Sequence, residues 1–337
     1  MPENSPAVVA EDLVKVYRGR SRRPAVRALD DLSFSVPPGR VFGLLGPNGA
    51  GKSTTTKILT TLSRPTGGRA VVAGHDVASE AAAVRSAIGY VSQGAATDPH
   101  LTAAENLVIA ARMRGATTVD ARSRATHLLD EFALADAADR PVKTFSGGMR
   151  RRLDVAAALV HRPRVLFLDE PTTGLDPEAR AAMWNEIRRL SAEESLTVIL
   201  TTHYMEEADR LAHELLLVDR GTAVAQGTPE ELKAALHGDT VRVALVEPDA
   251  ESVRAAARTV PALRDVVVEA AGVGGQLIAR VDDASAAVGQ VISALDAAGI
   301  RYAQVSASHP TLDDVYLHFV GHTFGGDAVS AAEEVAA

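Results

Sequence analysis

The 337-residue chain contains no cysteine, which excludes disulfides, thiolate metal sites and a cysteine nucleophile. No segment approaches the roughly 18 uninterrupted apolar residues of a membrane-spanning helix. The start, Met1-Pro-Glu-Asn-Ser5, has neither the basic residues nor the apolar middle of a secretory signal, so the chain is expected to stay in the cytoplasm. Surplus positive charge is missing as well: a net charge of -8 argues against a direct nucleic-acid partner, whose footprint is basic. Lysine is scarce. Among the 35 basic residues only Lys15, Lys52, Lys57, Lys143 and Lys233 are lysines, a bias from which no function follows.

What is present is ordinary for a soluble globular protein: 46% hydrophobic and 23% charged residues, in a length that allows about two domains. One stretch is far more specific. Gly46-Pro47-Asn48-Gly49-Ala50-Gly51-Lys52-Ser53 fits GxxxxGK[ST] at every fixed position. Its glycines let successive backbone N–H groups turn inward around phosphates, Lys52 adds a charge on the β/γ side, and Ser53 offers a magnesium-ligating hydroxyl. Arg40 to Leu45 read as a buried strand and Thr54 to Leu62 as an amphipathic helix, so the loop occupies the strand-to-helix junction that a phosphate loop requires.

Around it, Val8 to Val16 and Leu29 to Val36 alternate in polarity and predict a hairpin. The basic segment Arg18 to Pro24 between them is read as its solvated tip, with phosphate contact as the competing reading. Ala103 to Leu159 carry three- and four-residue apolar spacing and predict a helical subdomain, bounded at about 94–160. Val165 to Leu168 and Leu196 to Leu200 are continuous apolar runs, as in parallel strands covered on both faces, with a helix between them.

Thr228-Pro-Glu-Glu231 reads as a helix start with an N-cap and capping box, and His237-Gly-Asp239 as a hinge. The segments 240–246, 252–258, 266–269, 276–281, 284–298 and 302–306 then read as β-α-β-β-α-β, a ferredoxin-like order, with a short helix near Leu312 to Phe319. The expected organisation is a disordered start at 1–6, a first domain at 7–236, the hinge at 237–239, an accessory α+β domain at 240–320 and a disordered tail at 321–337.

Asp169 and Glu170 end an apolar strand at the carboxyl edge where open α/β sheets bind their ligands. One acid suits a metal and the other a water: Asp169 is assigned to magnesium and Glu170 to the attacking water. His203 ends the following apolar run and emerges at the same edge, within reach of a γ-phosphate. Ser146-Gly147-Gly148 opens a long helix. By itself it reads either as a plain N-cap or as a second phosphate-binding helix start. Asp176 before Pro177 and Glu178 reads as another N-cap.

Taken in order, these motifs resemble the ATP-binding cassette ATPases. The loop ending in Lys52-Ser53 looks like their Walker A, Tyr90-Val-Ser-Gln93 like the Q-loop, Ser146-Gly-Gly like the signature, the strand ending at Glu170 like Walker B, Gly174-Leu-Asp176 like the D-loop and His203 like the switch histidine. The resemblance covers about residues 8 to 235, and Tyr17 falls where the family places an adenine-stacking aromatic. Phe145 and Met149 depart from the usual Leu and Gln of the signature. With Arg150-Arg-Arg-Leu-Asp154 and Pro310-Thr-Leu-Asp-Asp-Val315 they resemble the daunorubicin/doxorubicin-resistance branch of exporter ATPases.

The resemblance implies a P-loop NTPase fold of the α/β class with β-hairpin and helical subdomains. It implies ATP and Mg2+ as cofactors, with Tyr17, Gly46 to Ser53, Thr54 and Gln93 on ATP and Ser53, Gln93 and Asp169 on the metal. Lys52, Glu170 and His203 are the implied catalytic residues. Ser146, Gly147, Gly148 and Asp176 would complete the site of a second copy in a homodimer. A separate membrane permease is the implied docking partner, at the cytoplasmic face of the membrane, and export of a hydrophobic small molecule the implied work. An importer ATPase carrying a similar accessory domain is one alternative. A soluble cassette ATPase acting on ribosomes or DNA is disfavoured because residues 93–146 are too short and too unlike heptads for its coiled-coil insertion. A module without turnover is disfavoured by the intact Lys52, Asp169, Glu170 and His203.

Overall fold

The computed structural model describes residues 5–18, 24–94, 96–271 and 274–320. Residues 1–4, the hairpin tip at 19–23 and the tail at 321–337, on which expectations of disorder or solvation fell, lie outside them. The chain divides into two units, residues 1–229 and 230–337.

In the first unit, β1 (Val8–Tyr17) and β2 (Val26–Val36) form an antiparallel hairpin in which Val8 faces Val36. After β3 (Val41–Leu45) and α1 (Lys52–Leu59), β4 (Gly67–Val72) and β5 (His75–Asp76) extend that hairpin into a four-stranded antiparallel sheet, β2-β1-β4-β5. The extension was not anticipated because β4 opens on two glycines. A Cβ at Gly68 would lie 2.1 Å from the Asp12 carbonyl oxygen, so the strand approach itself demands glycine.

The chain continues through α2 (Ala81–Ala87), β6 (Ile88–Val91), α3 (Ala103–Met113), α4 (Thr118–Glu131) and α5 (Gly147–Ala158). A capping box between Thr102 and Glu105 starts α3, and Thr117 and Ser146 cap α4 and α5. Then come β7 (Val165–Asp169), α6 (Pro177–Glu194), β8 (Thr197–Thr202), α7 (Met205–Leu211), β9 (Glu214–Asp219) and β10 (Thr222–Gly227). A six-stranded sheet results, β10-β9-β3-β8-β7-β6, parallel except at the β10 edge.

The continuous apolar runs of β3, β7 and β8 are buried on both faces. Alternate residues go to opposite cores. Leu166, Leu168, Val198 and Leu200 pack with the helices α3 to α6, whereas Phe42, Leu44, Phe167 and Ile199 pack with α1 and the antiparallel sheet. Phe34 and Phe42 stack between the two sheets with centroids 5.3 Å apart. Each such side chain contributes about 1.5–3 kcal/mol by leaving water.

The second unit begins within α8 (Pro229–Ala234) and contains β11 (Asp239–Val246), α9 (Ala250–Arg258), β12 (Arg264–Ala271), β13 (Gly274–Val281), α10 (Ala284–Ala297), β14 (Tyr302–Ser308) and α11 (Leu312–Val320). Its antiparallel order β12-β13-β11-β14, with two helices in the crossovers, is ferredoxin-like. Val243, Val281, Val253, Val291 and Leu295 form its core, and Asp249 and Asp283 cap the two helices.

One helix is bounded otherwise than expected. Helix α1 begins at Lys52 rather than Thr54, because Gly51 in a left-handed conformation (φ 111°) starts the helix before the lysine, and it ends at Leu59, before left-handed Thr61. At the expected hinge, 237–239, Arg280 donates to the carbonyls of Leu236, His237 and Gly238 and to Thr240 Oγ1, within the second unit. Gly238 (φ 82°) places its α-carbon so that a Cβ would lie 2.1 Å from the Val281 carbonyl oxygen. Gly238→Ala should therefore destabilise this unit by about 3 kcal/mol, read as a lowered unfolding transition in calorimetry.

Candidate functional site

Leu45, the last residue of β3, is level with Thr202 of β8, and Thr201 is level with Asp169 of β7. The residues that follow, Gly46, His203 and Glu170, therefore leave the sheet at one edge. Gly46 is confined because a Cβ there would lie 2.2 Å from the Val218 carbonyl oxygen. Gly49 takes a left-handed φ of 86°, and Asn48 and Gly49 form the exposed crest of the loop. The loop is tied down by Gly221 N–H donating to the Ala50 carbonyl at 2.8 Å and by Thr55 Oγ1 donating to the Gly51 carbonyl at 3.1 Å.

Lys52 folds back over this loop and is only 4% exposed. Its ammonium donates to the carbonyls of Gly46 (2.5 Å) and Pro47 (2.9 Å). Burial pulls its pKa below the ordinary lysine value, while the Glu170 and Asp169 carboxylates act in the opposite direction. A polyanion held in the loop would compensate the same buried charge. Ser53 and Thr54, in the same first turn of α1, are half-buried.

Asp169 is buried, and Thr201 Oγ1 donates to its Oδ1 at 2.5 Å. Glu170 follows in a left-handed conformation, φ 48°, a state that costs a non-glycine residue about 1–3 kcal/mol and gathers at functional sites. Its N–H is held by the carbonyl and hydroxyl of Thr201, and its carboxylate accepts from Thr173 Oγ1 at 3.2 Å. His203 Nδ1 lies 3.2 Å from Glu170 Oε1 without hydrogen-bonding alignment, and its ring packs on Tyr204 at a centroid distance of 4.1 Å. Lysine, two carboxylates and an imidazole thus converge on one edge, the constellation a triphosphate-cleaving site needs.

The remaining sequence-derived positions are placed otherwise. Ser146 Oγ accepts from Met149 N–H at 3.2 Å, so the N-cap reading holds in this chain, and Asp176 likewise caps α6 through Ala179 N–H at 2.8 Å. These two helix starts touch each other: a Cβ on Gly148 would lie 2.8 Å from the Ala179 methyl, and one on Gly147 3.7 Å from Leu175. Ser146 and Gly147 are exposed, with Phe145 buried beneath them under Arg140. Gln93 is exposed just beyond β6. Tyr17 is exposed at the end of β1, with the Lys15 ammonium 5.0 Å from its ring centre.

Two residues at the site escaped the sequence reading. Thr201 sits in an apolar run, and nothing but its strand register reveals that its hydroxyl meets Asp169. Arg151 belongs to a run of three arginines, of which it alone is buried, donating to the carbonyls of Asp169, Glu170 and Pro171. Thr201→Val should leave Asp169 Oδ1 buried and unpaired and cost roughly 2 kcal/mol of stability, measurable by denaturant unfolding.

Comparison with known proteins places these features in context. Residues 29–173 match the family described as ABC transporter, and residues 227–320 match the one described as ATP-binding protein DrrA1-3-like, C-terminal domain. The chain is 44% identical over 328 residues to the daunorubicin/doxorubicin resistance ATP-binding protein DrrA of Streptomyces peucetius, covering 97% of this chain and 96% of that one. It is 36% identical over 318 residues to the linearmycin resistance ATP-binding protein LnrL of Bacillus subtilis, covering 93% and 98%. Among solved structures, the dimeric post-hydrolysis state of the ATP-binding cassette MJ0796 bound to ADP and Pi superposes with a TM-score of 0.59 at 25% identity, covering 66% of this chain and 98% of that one. The cbiO1 subunit from Clostridium perfringens does so with a TM-score of 0.62 at 25% identity, covering 68% and 91%.

Proposed function

We propose a mechanism from one premise: the chain belongs to the ABC transporter family and is an ATP-binding, ATP-hydrolysing subunit. The observation that carries the mechanism is the convergence of Lys52, Asp169, Glu170 and His203 at one sheet edge, beside the glycine-bearing loop that leads into α1. In this reading Gly46 to Thr54 cradle the triphosphate, Lys52 neutralises its β/γ side and Tyr17 stacks on the base. Ser53, Gln93 and Asp169 would hold Mg2+. A hydroxyl, an amide and a carboxylate are the hard oxygen donors that such a cation takes. When bound, the metal neutralises charge between the phosphates.

Glu170 then orients and deprotonates the attacking water, a role worth about 10² to 10⁴ in rate. His203, 3.2 Å from that carboxylate, holds the γ-phosphate side of the site. One copy does not complete the enclosure. The exposed helix starts at Ser146 and Asp176 fit a partner copy placed head to tail, so that Ser146, Gly147 and Gly148 face the γ-phosphate across the interface. ATP bridges the two halves, and its hydrolysis removes the bridging charge and lets them part.

The work is export of a hydrophobic drug or antibiotic through a separate integral-membrane permease, with this subunit peripheral at the cytoplasmic face. Two relatives whose names refer to daunorubicin, doxorubicin and linearmycin resistance, and the match of the second domain to a DrrA-like one, support export over import. Among the described residues no helix is long and apolar enough to cross a membrane. A groove of about 560 Å³ in the first unit, with exposed Leu62 and the 82% exposed Met113 on its rim and Tyr90, Ala96 and Arg114 in its wall, supports permease docking beside the Gln93 loop.

Glu170→Gln should bind ATP with near-native affinity and lose at least about 10²-fold in turnover while the ATP-bound dimer accumulates. Native turnover by that variant would remove Glu170 from its role. Ser146→Arg should leave nucleotide bound to the monomer yet block closure. Light scattering with ATP on the Glu170→Gln, Ser146→Arg double variant reads this directly, and a persistent dimer would exclude the head-to-tail arrangement.

A further inference from the structure

The inner face of α5 carries two buried charges whose bonds connect parts of the site that are far apart in sequence. Arg151, 9% exposed, donates Nη1 to the Ser92 carbonyl at 2.6 Å, Nε to that of Pro171 at 2.9 Å, and Nη2 to those of Asp169 (3.1 Å) and Glu170 (3.3 Å). One turn further, buried Asp154 accepts on Oδ1 from Ala96 N–H at 3.2 Å and from Thr97 Oγ1 at 3.0 Å. A single helix face therefore grips both flanks of the Gln93 loop. The guanidinium that holds one flank also holds the backbone from which Glu170 projects.

An arginine is required for this geometry. Its planar fork presents five donors at fixed angles, whereas a lysine ammonium is a point charge that cannot span carbonyls on two separate segments. Glu170 is sensitive to a slackened backbone, since its left-handed conformation persists only while surrounding bonds over-determine it. The groove described above is walled by Tyr90, Ala96 and Asp154, so an occupant of that groove bears on the same face.

We propose that Arg151 is a positioning residue that ties Ser92, at the near flank of Gln93, to the backbone of Glu170, so that displacement of that flank moves the Glu170 carboxylate relative to the attacking water. The proposal rests on the reading of Glu170 as the residue that orients that water. Arg151 acts at one remove from the reacting atoms: a misplacement on the order of 1 Å at a reacting geometry costs about 10²-fold in rate. The phosphate loop at 46–54 is a separate segment from the carbonyls that Arg151 bonds, so the main effect is expected in kcat rather than in KM.

The test is a double-variant cycle on the full-length chain, with phosphate release from labelled ATP as the readout. In the native background Arg151→Lys should lower kcat by about 10²-fold with KM within about 3-fold of native. In the Glu170→Gln background, followed by single turnover over hours, the same substitution should cost less than about 3-fold, because the group it positions is already disabled. A general structural role would give equal losses in both backgrounds, and that result overturns the proposal while leaving Glu170 in place. Native turnover by Glu170→Gln overturns both. If Arg151→Lys does not fold, Arg151→Gln, which keeps an uncharged amide donor but not the fork, poses the same question: a kcat loss confined to the Glu170 background supports the tie, and an equal loss or none in both backgrounds refutes it.

Discussion

The register of three parallel strands is the constraint on which the rest depends. Because Leu45 is level with Thr202 and Thr201 with Asp169, the next residue of each strand leaves the sheet at one edge, and those residues open the phosphate loop, carry the Glu170 carboxylate and carry the His203 imidazole. Slippage by one position would send every apolar side chain of a strand to the opposite core and carry its terminal group out of the cluster. Two different cores hold the register. One is made with helices and contains Leu166, Leu168, Val198 and Leu200; the other is made with the antiparallel sheet and contains Phe42, Phe167 and Ile199.

At that edge the chain holds an arrangement that is costly in isolation and useful with a ligand. A buried ammonium is satisfied by two loop carbonyls and two neighbouring carboxylates, and burial still dominates its proton affinity. Glu170 is held in a strained conformation by Thr201, Thr173 and Arg151. Preorganised groups of this kind lower a barrier because they need no reorganisation when charge develops. The helix starts at Ser146 and Asp176 are differently disposed: each is internally capped, they touch each other, and they face solvent. In the proposed head-to-tail pairing they would supply the other half of the site of a second copy.

The second unit owes its stability to its own core and to the Arg280 turn, which fastens residues 236–238 to strand β13. Its fold is ferredoxin-like by strand order, and its match to a DrrA-like C-terminal domain distinguishes this chain from a bare cassette.

The sequence by itself determined the loop at 46–53, the two buried strands that follow, the helical stretch between 103 and 159 and the β-α-β-β-α-β order of the second unit, because each has a local period or a glycine pattern. It did not disclose β4 and β5, whose pairing with β1 depends on a close approach at Gly68, or the start of α1 at Lys52, which depends on a left-handed Gly51. Only the tertiary structure decided which of three consecutive arginines is buried, that Thr201 meets Asp169, and that a backbone turn aims Glu170 at its neighbours. These are contacts between segments tens of residues apart, fixed by strand register and by the shape of the core, and local periodicity carries no information about either.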